Sequence, residues 1–239
     1  MNLTELDAIV LKGMRYNETS KIISLFTESS GKINFIAKGV RSIKSGQCGV
    51  FEDMNLIRIS FHNKINRSLQ VINKSENIDT HSNIKCDLDK LEYAYRILEI
   101  MNNLTHNFDI NPKGFKLLRN SLSYLNGNDF DEFNVYLYFQ LNFAEISGVG
   151  LKSNLEFSQK KVNFHETFSY KIELNRYGEL LNNNLLKILN SNIEDICLYK
   201  FSKNDCIKFI DLMDNYLFNN FDTKYFFNTK NIFKKININ

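Results

Sequence analysis

The chain is 239 residues long, 43% hydrophobic and 24% charged, the proportions of a globular protein able to bury a core of its own. Net charge is only +3, yet residues 1–75 carry 11 Lys and Arg against 6 Asp and Glu, and the remainder has a slight acidic excess. No apolar run approaches a membrane helix, and "MNLTELDAIVLKG" has neither the basic leader nor the cleavage site of a signal peptide, so a cytoplasmic protein with no membrane partner is expected.

The first third reads as strands. "DAIVLKG" (7–13), "SKIISLFT" (20–27), "GKINFIAKG" (31–39), "DMNLIRISF" (53–61) and "SLQVIN" (68–73) are short and rich in β-branched and aromatic residues. The turn signals "RYNE", "ESSG", "SGQCG" and "HNKIN" separate them. In the third run Ile33, Phe35 and Ala37 share one face, and Lys32, Asn34 and Lys38 fall near the other. That period of two turns one face inward and leaves the other for solvent or a ligand. Five such strands in so short a stretch predict a small barrel.

After about residue 85 the period becomes helical. "DLDKLEYAYRILEIMNN" places Leu88, Leu91, Tyr95, Leu98 and Met101 on one stripe, with Asp87 as N-cap. "PKGFKLLRNSLSYL" starts at Pro112, a residue suited to the first helical turn. "DFDEFNVYLYFQLNFAEISG" is the most apolar segment, ending at Gly148. "SKNDCIKFIDLMDNYLFNNF", with Ser202 as cap, forms a last amphipathic helix whose Asp211 and Asp214 are expected on the solvent side. Residues 148–182 have no helical stripe and read as a loop-and-hairpin insertion. The fold expected is therefore α+β, with an N-terminal barrel over 1–80 and a helical domain over 81–239.

Chemistry of the familiar kinds is missing. "ESSGKI" lacks the first glycine and the hydroxyl residue of a phosphate loop, which leaves a turn. No GxSxG elbow is present. His62, His81, His106 and His165 are isolated, and Cys48, Cys86, Cys197 and Cys206 form no CxxC pair. Neither a metal site nor a structural disulfide is expected. His165-Glu166 reads as a surface pair, and Asp129, Asp131 and Glu132 as the acidic start of a helix. No catalytic site and no cofactor are expected.

A small barrel with a basic face suits single-stranded nucleic acid, whose phosphates follow cations while its bases stack on aromatic rings. The cations available for this in the first third include Lys12, Arg15, Lys21, Lys32, Lys38, Arg41, Lys44 and Arg58. Phe35 lies on the apolar face and reads as core, whereas Tyr16, in a turn beside Arg15, is a stacking candidate. The densest cluster is "AKGVRSIKSGQCG" (37–49), where Lys38, Arg41 and Lys44 stand among glycines and serines. Such a loop suits phosphate contact and offers little means of reading bases.

The ordered series "AIVLKGMRYNETSKIISLFTESSGKINFIAKGVRSIKS" (8–45) resembles the N-terminal signature of RecO, the bacterial recombination mediators. The matching positions are Tyr16, Glu18, Thr19, Phe26, Thr27, Gly31, Lys32, Ala37, Lys38, Gly39, Arg41 and Ser45. "LMDNYLFNNFDTKYFFNTKNIFKKI" (212–236) resembles the family's closing helix and tail. The resemblance implies an OB-fold barrel, then a helical domain, and a non-enzymatic role. Such proteins bind single- and double-stranded DNA, anneal strands, pair with RecR, and help RecA load onto strands coated by single-strand-binding protein (SSB). The family's basic barrel residues would map to Lys38, Arg41 and Lys44, with Arg15, Lys21 and Lys32 beside them. The four-cysteine zinc site of many members has no counterpart, because residues 148–180 contain no cysteine. The alternative is a generic OB-type module that binds nucleic acid or protein without a recombination role.

Overall fold

The computed structural model describes residues 3–42, 45–47, 49–63, 69–150, 193, 203–221 and 228–236. Strands β1 (Leu3–Tyr16), β2 (Ser20–Thr27), β3 (Gly31–Ala37), β4 (Leu56–His62) and β5 (Gln70–Asp79) come first. Helices α1 (Ser82–Lys85), α2 (Leu88–Leu104), α3 (Pro112–Asn126), α4 (Glu132–Ile146), α5 (Lys203–Asn220) and α6 (Asn228–Ile236) follow. The strands close a barrel in the order β1-β2-β3-β5-β4, with β3 parallel to β5 and the other pairs antiparallel. This is the OB-fold order, in the α+β chain that the sequence predicts.

The barrel closes because β1 serves two partners. Its residues 3–9 pair with β4 and its residues 8–16 with β2, with a register shift between Val10 and Lys12. Beyond Ile9 the strand runs on past β4 as a ribbon with β2, which β3 flanks on its other edge. Inward residues fill the interior: Ala8, Val10, Ile23, Leu25, Phe35, Ile57 and Ile59 are essentially inaccessible. Phe35 meets Phe61 edge to face at 4.9 Å, so it is core, as its place on the apolar face suggests. β1 and β5 run past their predicted ends. The outer half of β5 was illegible because "ENID" is polar, as an exposed strand can be.

The turn before β3 is locked to the loop after α2. Gly31 has φ +66°, and a Cβ there would lie 2.0 Å from the Asp109 carbonyl oxygen. The Phe108 N–H donates to the Lys32 carbonyl at 2.9 Å. The Lys32 side chain, 9% exposed, donates to the carbonyls of Asn102 and Thr105 at 2.6 and 2.5 Å. These are orphan acceptors at the end of α2, where a cation is favoured. Burial pulls the ammonium pKa below the ordinary lysine value.

α2 is capped as expected, since the Asp87 carboxylate accepts from the N–H groups of Asp89 and Lys90. Its buried face is made by Ala94, Ile97, Leu98, Met101 and Leu104. The stripe predicted from Leu88 is rotated: Leu88 is 47% exposed, and Leu91 and Tyr95 are only half buried. α3 begins at Pro112, with Asn111 capping the Gly114 N–H.

Residues 1–128 with 224–239 form one compact unit, and residues 129–223 form another. The change from strand to helix, at residues 79–82, lies inside the first. In the second, α4 packs on α5, where Asp214 corrects the expectation of a solvent-facing carboxylate. It is 4% exposed and accepts from the Tyr136 hydroxyl at 2.7 Å and the Gln140 amide at 2.6 Å. The apolar stripe misleads because α4 presents polar groups to α5 that need an acceptor. Asp214→Ala should cost about 2–4 kcal/mol in urea unfolding by leaving those donors unpaired. The insertion over 148–182, the pair His165-Glu166 and the cap Ser202 lie outside the described residues, apart from 148–150. No described helix is long and apolar enough to cross a membrane.

His81, between β5 and α1, is 2% exposed with φ 47°, and its Nδ1 lies 3.0 Å from the Met54 carbonyl oxygen. Burial lowers its pKa, against opposing pulls from Asp79 and the Met54 carbonyl. The unfolded chain therefore binds more protons just below pH ~6.5, so stability falls as pH drops through that window toward the folded value. His81→Gln should shrink the difference in Tm between pH 7.5 and pH 5.5, conditions chosen to span about that range.

Candidate nucleic-acid interface

One end of the barrel gathers most of the expected cations. Along the ribbon, Arg15 stands directly opposite Lys21, and Lys21 opposite Ala37, the residue before Lys38. Like charges facing each other across strands are destabilising, and a bound anion would offset that cost. Arg15 and Lys38 are exposed and Lys21 is half buried. On the ribbon's other face Met14 and Tyr16 are 51% and 39% exposed. Tyr16 is thus a ring beside the cations and outside the core.

The basic loop folds back onto the ribbon's tip. Gly39, at φ +71°, turns the chain out of β3. The Arg41 N–H then donates to the Thr19 carbonyl at 2.9 Å, and its guanidinium Nη1 donates to the Asn17 carbonyl at 3.1 Å. Two carbonyls hold Arg41 beside the turn without neutralising it. Arg15, Tyr16, Lys38 and Arg41 therefore share one end of the barrel, with Lys21 one strand pair inward. Lys44 lies outside the described residues.

Two cations of the original set have other work. Lys32 is buried at the opposite end of β3, holding α2. Its ammonium is unavailable to a strand at the surface, and periodicity could not show this because the acceptors lie some seventy residues away. Arg58 is exposed but forks onto Asp7, at 2.8 and 3.2 Å. Lys12 is exposed.

Asn55 anchors the far side of the loop and gave no signal in the sequence, where it reads as strand. It is wholly buried. Its amide donates to the carbonyls of Gly49 and Val50 at 2.9 and 3.0 Å and approaches Asn77 Oδ1 at 3.3 Å. Its Oδ1 accepts from Lys85 at 2.7 Å. Nearby, the Gly13 N–H donates to Asp53 Oδ1 at 3.1 Å. Burial raises the Asp53 pKa, while that N–H and the positive charges of Lys21, Lys12 and Lys85 pull it down.

Among the described residues no group of three or more His, Cys, Asp or Glu could hold a metal. The arrangement is one suited to an extended polyanion: cations on a ribbon and a tethered loop at one end of the barrel, with an exposed aromatic ring on the ribbon's other face.

That barrel defines a protein of the OB-fold class. The family model described as Recombination protein O N terminal matches residues 1–81, and that described as Recombination protein O C terminal matches residues 86–216. The chain belongs to the Recombination protein O (RecO) family. It is 32% identical over 142 residues to the DNA repair protein RecO of Salinibacter ruber, a stretch covering 59% of this chain and 55% of that one. It is 33% identical over 123 residues to the protein of that name from Chlorobium phaeobacteroides, covering 52% and 47%. With the Alkaliphilus metalliredigens protein it shares 30% identity over 152 residues, covering 62% and 59%. The chain thus spans about half the length of the curated relatives it matches.

The two kinds of lysine are separable. Lys32→Met keeps the apolar stem but strands two carbonyls, so it should cost about 1–3 kcal/mol in urea unfolding. It should leave the salt dependence of nucleic-acid binding unchanged.

Proposed function

We propose that this chain is a DNA-binding recombination mediator that works in DNA repair without catalysing a reaction. The observation carrying the proposal is the convergence of Arg15, Lys21, Lys38 and Arg41 at one end of an OB barrel in a RecO-family chain. Lys44, three residues beyond Arg41, belongs to the same basic loop. The cations follow the phosphate backbone, and Tyr16 offers a ring to a base. Contact of this kind is sequence-tolerant, as annealing of arbitrary complementary strands requires.

Family membership extends the proposal to partners: single- and double-stranded DNA, RecR, and SSB, with delivery of RecA to SSB-coated strands as the outcome. A pull-down with purified RecR and SSB checks the partners; binding to neither would favour a generic OB-type module.

Phosphate contact has its own test. Each lost contact to a single strand removes about 0.7 from the slope of log K against log salt. Replacing Arg15, Lys38 and Arg41 together by Ala should flatten that slope by about 2 units, whatever the base sequence. An unchanged slope would show that these side chains do not meet phosphates.

A further inference from the structure

Beside the ribbon lies a cavity of about 300 Å³, lined among the described residues by the barrel's loop 51–54, by Gly13 and Lys21 of the ribbon, and by α1 and α2. That volume is at the lower end of the range for small-molecule sites. It admits one flat ring with part of a sugar, and nothing as large as a folded element. Phe51, Met54, Leu91 and Tyr95 supply apolar and aromatic wall. Leu91 and Tyr95, half buried on α2, border this cavity.

The polar groups are few and converge. Asp53 holds its Oδ1 on the Gly13 N–H, which leaves Oδ2 to accept from a ligand. The Tyr95 phenol is close enough to the carboxylates of Asp53 and Glu52 for both to raise its pKa, after the larger effect of burial. Lys21 and Lys85 also line the cavity. Lys85 is committed to Glu52 at 3.0 Å and to Asn55. Lys21 makes one long hydrogen bond, 3.5 Å, to the Phe51 carbonyl and acts on Asp53 through its charge alone. An ammonium so weakly held, next to Arg15 across the strand pair, can meet a phosphate at the cavity's rim.

We propose that this cavity receives one unstacked nucleobase of a bound single strand, its ring against Tyr95, Phe51 and Leu91, its amino or imino N–H donating to Asp53, and its phosphate at Lys21. The proposal rests on the DNA-binding reading above and deepens it. All four bases carry an N–H on their pairing edge, so a lone carboxylate oxygen accepts any of them, and an apolar slot accepts any π-face. The site therefore holds a base without choosing one.

Two variants test it without removing a cation. Asp53→Asn keeps the shape and the Gly13 contact but turns the second oxygen into a donor. Gly13→Leu fills the cavity: a Cβ there meets the Phe51 carbonyl oxygen at 3.6 Å, an ordinary contact. Binding of the full chain is measured by fluorescence anisotropy for a mixed-sequence single strand and for an abasic strand of equal length. Each variant should bind the base-containing strand about tenfold more weakly, while affinity for the abasic strand and the salt slope stay at wild-type values. Variants that match wild type on both strands overturn the pocket and leave the phosphate contacts standing. Equal weakening on both strands also overturns it, because the effect then lies in the backbone track or the fold. A wild-type protein that binds neither strand removes the DNA-binding reading itself.

Discussion

A buried carboxamide holds the basic end of the barrel together. Asn55 joins the end of the basic loop, the outer part of β5 and the lysine of α1 through one side chain. Its backbone carbonyl also receives the Val10 N–H, at the bulge where β1 leaves β4 for β2. An amide has donors and an acceptor in fixed relation, so these elements are set against one another as a unit. No apolar residue of similar size could do this, since each partner would become an unsatisfied buried group. The other anchor is Arg41, which ties the loop's start to the tip of the ribbon.

Lys38 and Arg15 face solvent because the register of three strands brings them to one edge, and Gly39 lets the loop leave β3 there. The interface thus depends on strand pairing for its spacing and on two hydrogen-bonded anchors for its shape. Lys32 is the counterpart at the opposite end. It shares the composition of the interface lysines, but its ammonium holds a helix terminus and fixes α2 to the barrel.

The barrel and the helix starts were legible in the sequence because their signals are local. Alternation gave β3, Asp87 and Pro112 marked two helix starts, and the glycines with basic residues marked the loop. What was not legible depends on contacts between distant residues. Lys32 is told from Lys38 only by acceptors on α2, and Asp214 from a surface aspartate only by Tyr136 and Gln140. Asn55 and Asp53 sit just before β4, where polar residues read as part of the strand. Leu91 and Tyr95 follow the helical stripe yet border a cavity, a distinction that periodicity cannot make.

The account stands or falls on where a DNA strand lies. Hydrogen–deuterium exchange of the full chain, with and without a single-stranded oligonucleotide, locates it directly. Protection on binding is expected at the ribbon tip, residues 14–21, and in the basic loop, residues 38–47. Protection confined to α3 and α4, with the ribbon and loop exchanging as in the free protein, would contradict it.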